Sequence, residues 1–154
     1  MSGFASRIRN RVLSSRYVSG APAGDLYLDE PWVSIRWDGV HRCVHTEWKA
    51  FANSAEFRAA LMKALEAIKD RRAVSYLSDT RKVKVIVHED QTWANEVWRP
   101  LLVKAGVKRF ALVTAASGLG KVTVEEVVKL VDNRGVLMRS FATLEEARSW
   151  LAKG

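Results

Sequence analysis

Apolar residues recur along this chain with two periods, and the change of period marks its elements. Leu26, Tyr27 and Leu28 precede Pro31, and Trp32–Trp37 then alternates apolar and polar up to Asp38-Gly39, a strong signal for a hairpin turn. Val40–His45 reads as the returning arm. From there the period lengthens. Asn53 followed by Glu56 has the spacing of a capping box, and Phe57, Leu61, Ala64, Leu65 and Ile68 form one apolar stripe, so a helix runs to Arg71-Arg72.

Ala73–Leu77 reads as a short buried strand leading into Ser78-Asp79-Thr80-Arg81-Lys82. Asp90 is placed to cap a second helix with Trp93, Val97 and Leu101 on one face, Pro100 as a kink or fresh turn, and Gly106 at a left-handed terminus. Lys108–Thr114 reads as a strand, Thr123 and Glu126 as the cap of a third helix, and Val136–Phe141 as the last strand. Thr143 and Glu146 cap a closing helix. After the opening hairpin, helices and strands alternate. The expected class is α/β: a mixed sheet with an antiparallel N-terminal hairpin, parallel central strands and about four helices mainly on one face.

Composition narrows the class of protein. The 154 residues are 48% apolar with six Trp, which excludes a disordered chain, and no apolar run approaches the ~20 residues of a membrane span. Cys43 is the lone cysteine, so an intramolecular disulfide is excluded and a cytoplasmic setting is expected. The net charge is +8, and half of it sits in residues 1–24, where Arg7, Arg9, Arg11 and Arg16 occur without an acid. This segment reads as a basic, flexible or helical extension able to touch membranes, and residues 25–154 as the domain proper. The body is only mildly basic, so nucleic acid is an unlikely partner.

Four stretches invite chemical readings. His41, Cys43 and His45 alternate as metal ligands on one strand face would, but they span roughly 13 Å at ~3.3 Å per residue, too far for one ion. No metal or cofactor is expected. Gly118-Leu-Gly-Lys121 lacks the upstream Gly and following Ser/Thr of a phosphate loop. Neither a nucleophile elbow nor a paired acid and base is recognisable, so an enzyme would need a constellation that only the fold could assemble. Asp79, Arg81, Lys82 and Lys84 follow a central strand, where open α/β sheets bind ligands, with Trp93 and Trp98 as an apolar wall.

The arrangement as a whole resembles the SpoIIAA-like branch of the STAS superfamily, including STAS/CRAL-TRIO-like bacterial proteins. The resemblance covers about residues 25–153 and rests on Trp37-Asp-Gly39, the strand ending at Asp79, Asp90-Gln91-x-Trp93, Ala105-Gly-Val-Lys108, Phe110–Val113, Arg139-x-Phe141 and Glu145–Leu151. It implies a regulatory or binding module without a catalytic centre. In related anti-anti-sigma factors a serine of a D-S-S-G-like turn is phosphorylated, and Ser78 or Thr80 stands at the similar place without the Gly or the double Ser. The expected function is recognition of a protein partner through residues 78–84 and the following Trp-containing helix, as a monomer or homodimer. The alternative is a carrier of a lipid or small amphipathic anion, and an uncatalogued enzyme is the third reading.

Overall fold

The computed structural model describes residues 25–115 and 135–153. Six strands form one sheet in sequential order: β1 (Leu26–Glu30), β2 (Val33–Asp38), β3 (Cys43–Trp48), β4 (Ser75–Asp79), β5 (Arg109–Val113) and β6 (Leu137–Phe141). β1, β2 and β3 pair antiparallel, and β3 through β6 pair parallel. The mixed α/β sheet is the one the sequence predicts.

α1 (Ser54–Arg71) forms because its cap closes both ways. Asn53 Oδ1 accepts the Glu56 N–H, and Glu56 Oε1 accepts the Asn53 N–H. Lys69 and Arg71 suit the negative end of its dipole, and Arg72 ends it in a left-handed conformation at φ 51°. α2 is a continuous rod of α-helical His88–Trp93, π-helical Ala94–Trp98 and α-helical Arg99–Ala105, ended by Gly106 at φ 101°. α3 (Leu144–Ala152) starts at Thr143, whose hydroxyl accepts the Glu146 N–H. The described residues thus hold three helices, against about four expected. The helix expected at Thr123–Glu126 lies outside them, as do residues 1–24 and Gly118–Lys121.

α1 and α2, which connect sequential parallel strands, share one face of the sheet, as right-handed crossovers require, and α3, which follows the last strand, covers the other. Under α1 and α2 lie Ile35, Val44, Trp48, Tyr76, Phe110 and Leu112. Cys43, Leu77, Ala111 and Val113 pack with Ala147 and Leu151 of α3.

Four sequence expectations need correction. The β2–β3 link is four residues, because Asp38 Oδ1 accepts the N–H groups of both Val40 and His41 and Arg42 turns the chain at φ 54°. The returning strand therefore starts at Cys43. The next strand is Ser75–Asp79, two residues later than expected, which puts Asp79 inside the sheet. Asp90 is not a cap: Val87 is, and the Asp90 carboxylate is buried against Ser54 (2.8 Å) and Arg58 (3.0 Å) at the start of α1. Finally, the π-helical turn widens the helical repeat, so Trp98 and Leu102 face the core while Val97 is exposed.

Candidate functional site: a cleft at the strand ends

Beyond the carboxyl ends of β3 and β4 the chain leaves an open cleft of about 810 Å3. Its walls come from Trp48, residues 49–53, Ser54 and Phe57 of α1, the irregular run Lys82–Val87, and Asp90 of α2, whose carboxylate is bonded to Ser54 and Arg58. Phe51 is 70% exposed, and Val85 and Val87 are also exposed at this mouth. An inner recess of about 70 Å3 shares Trp48, Phe57 and Ile86 with the cleft and continues to Trp98, Phe110, Leu112 and Met138. Its exposed lining is mostly apolar, with Ser78, Thr80, Asn95 and Arg99 also at its border, Arg99 being engaged within the protein.

Aromatic packing shapes this inner wall. Trp48 stacks on Phe57 at 5.3 Å between ring centroids, and Trp98 and Phe110 meet edge to face at 6.1 Å. Both also meet Tyr76 edge to face. The polar atoms nearby are largely committed to the protein. Trp48 Nε1 donates to Ser78 Oγ (3.2 Å), Trp98 Nε1 to the Leu61 carbonyl (2.7 Å), and Thr80 Oγ1 to the Val113 carbonyl (2.8 Å). The side-chain nitrogen of Asn95, which lines the recess, is buried without a hydrogen-bond partner.

The basic cluster read from the sequence divides here. Arg81 grips the buried Asp79 with two bonds, Nε to Oδ1 at 2.9 Å and Nη2 to Oδ2 at 2.7 Å. Burial alone would raise the Asp79 pKa, but the hydrogen bonds and charge of Arg81 outweigh it and hold the carboxyl below its ordinary value. Arg81 is therefore spent on its own neighbour. Lys82 and Lys84 are exposed and line the cleft. Arg71, at the far end of β4, joins Asp25 and Tyr27, and Tyr27 in turn hydrogen-bonds Asp70.

Of the two tryptophans expected to wall the site, only Trp98 lines the recess. Trp98 is core, 3% exposed, and reaches the recess from inside. Trp93 is half-buried beneath the Arg58 guanidinium, 5.3 Å from its ring centroid. Ser78 and Thr80 are both buried with their hydroxyls bonded, a placement that a kinase could reach only through local unfolding.

His41, Cys43 and His45 do not form one row. His41 sits in the turn, with Nδ1 2.8 Å from Asp38 Oδ2. Burial pushes the Cys43 thiol up to about 12, far from a reactive thiolate. His45 is buried, and its pKa is pulled down to about 3, first by burial and then by Arg36 and Arg148. Arg36 Nη2 lies 3.2 Å from His45 Nδ1; a guanidinium can only donate, so Nδ1 accepts and the ring is neutral. Among the described residues no group of three or more His, Cys, Asp or Glu side chains is placed to hold a metal ion, and no helix is long and apolar enough to cross a membrane.

Sequence reasoning missed Trp48, Phe57, Ile86, Phe110, Leu112 and Met138 as lining residues. Phe57 was legible only as the first member of the α1 stripe, whose other members are buried in the core. The available signal was Val83-Lys-Val-Ile-Val87, an apolar run that joins no strand. No protein-family profile matches the chain, and neither does a curated protein or a solved structure.

Proposed function

We propose that this chain is a non-enzymatic binding module whose cleft holds a small amphipathic anion, the apolar part inside and the acidic group at Lys82 and Lys84. The observation that carries this reading is the cleft itself: about 810 Å3 of apolar-walled space at the strand ends with two exposed lysines on its lining. Ligand sites of about 300–1,000 Å3 are apolar clefts with few polar anchors, and they favour this end of a parallel sheet. The resemblance to the SpoIIAA-like STAS domains belongs to the same proposal, and the antiparallel-then-parallel sheet is compatible with it.

Calorimetric titration of the full chain with an amphipathic carboxylate tests the reading. Replacing both lysines, Lys82→Ala with Lys84→Ala, should weaken binding about tenfold, equal to 1.4 kcal/mol. Unchanged affinity would remove the lysines from the site.

A second reading, recognition of a protein partner through the 78–84 loop, is supported by exposed Phe51, Val85 and Val87 at the cleft mouth. Under it, a partner's apolar side chain enters the cleft, and the lysine substitutions weaken a polypeptide complex instead. Native mass spectrometry separates the two by the mass that accompanies the chain.

A further inference from the structure

We infer that the recess takes a single aromatic ring, so that the ligand class is an aryl acid with a short linker and not a long-chain acyl acid. The inference rests on the cleft being a ligand site and adds which chemistry fills its inner end.

Size is the first argument. At about 70 Å3 the recess is about half the ~150 Å3 of an apolar cavity that holds benzene, and it opens towards the cleft through Trp48, Phe57 and Ile86, so it admits one edge of a ring whose remainder lies in the cleft. A recess of about 70 Å3 has little room for a long chain, which would have to fold back into the open cleft.

The walls give the second argument. Trp48, Phe57, Trp98 and Phe110 contribute rings, and Met138 a thioether. The Trp98–Phe110 interplanar angle of 82° and the Tyr76–Phe110 angle of 86° continue one edge-to-face network up to the recess. A further ring extends such a network through its quadrupole and through sulfur contact, which an alkyl chain cannot do.

Polarity is the third. The hydroxyls of Ser78 and Thr80 and the indole N–H of Trp98 are already bonded within the protein, so the recess favours an unsubstituted face. Its buried Asn95 amide nitrogen has no hydrogen-bond partner, and an unmatched buried donor is costly, which points to a water held beside the ring. The acid group remains at Lys82 and Lys84, on the outer cleft.

The test titrates the full chain separately with phenylbutyrate and decanoate, which carry the same number of carbons. Decanoate is the more hydrophobic, so an unspecific apolar surface would prefer it. The inference expects phenylbutyrate to bind at least about tenfold more tightly. It also expects ring-current shifts of the Leu112 and Met138 methyl resonances on addition of phenylbutyrate. Met138→Phe, which fills the recess from its own wall, should abolish the preference, and Leu112→Phe serves if that variant does not fold. Equal or tighter binding of decanoate would overturn the ring assignment and leave the cleft as a binding site. Phenylbutyrate binding without methyl shifts would also overturn it. Binding of neither acid would overturn both this inference and the proposed function.

Discussion

The two faces of the sheet use their polar groups in opposite ways. Opposite α1 and α2, on the face that α3 partly covers, charges neutralise one another. Arg81 holds Asp79, and Asp38 accepts from His41 and lies 3.6 Å from Arg148, while Arg36 donates to the neutral ring of His45. Under α1 and α2 the sheet is mainly aromatic and aliphatic, its hydroxyl and indole groups are paired locally, and the volume left over opens into the cleft. The difference teaches that a conspicuous charge need not mark a site. The charges most visible in the sequence are largely structural, and the space able to receive a ligand is walled by residues that look like core.

That comparison breaks first at Trp98, which serves both packing and recess. Trp98→Ala should cost about 3–5 kcal/mol, since it removes a buried ring together with its hydrogen bond to the Leu61 carbonyl. Urea unfolding checks this, and a loss below about 1 kcal/mol would show that Trp98 is not a core residue.

The charged face should reveal itself through acid. A buried His whose folded pKa is lowered to about 3, from an ordinary 6.5, resists the proton that the unfolded chain takes up. Its contribution is fully present above pH 6.5 and falls as the pH drops from 6.5 towards 3. Between pH 7 and pH 5 this amounts to about 2 kcal/mol. His45→Gln should flatten that part of the profile, measured by urea unfolding at the two pH values. Asp79 acts lower on the scale: its depressed pKa stabilises the fold above the ordinary carboxylate value and is lost on acidification below it. An unchanged slope in His45→Gln would show that His45 is not buried neutral.

Smaller effects sharpen the contrast. Asn53→Ala removes the cap of the helix that walls the cleft and should cost about 1 kcal/mol in thermal or urea unfolding. The pair Lys82→Ala and Lys84→Ala should change stability by less than about 0.5 kcal/mol, because both side chains are exposed, while still weakening an anion. A large loss of stability would make these lysines structural, like Arg81.

Much of the fold was legible from periodicity and caps. The Asn53–Glu56 box, the stripe from Phe57 to Ile68 and Gly106 each name a local requirement that the structure meets. What was not legible came from tertiary geometry. Asp38 bonding two successive N–H groups lengthened the hairpin link, and a π-helical turn brought Trp98 into the core and left Val97 exposed. The candidate site was legible only in its rim, at Lys82 and Lys84. Its inner wall joins residues from β3, α1, α2, β5 and β6, which no local spacing connects, and Arg81 looked available because its partner lay two residues away in the same loop.

Native mass spectrometry of the full chain, purified without denaturation, tests the central claim most directly. The account predicts a small organic mass bound to the chain, released by organic solvent and absent from the Lys82→Ala, Lys84→Ala variant. A chain that carries no such mass, or carries only another polypeptide, and takes up no added amphipathic acid would contradict it.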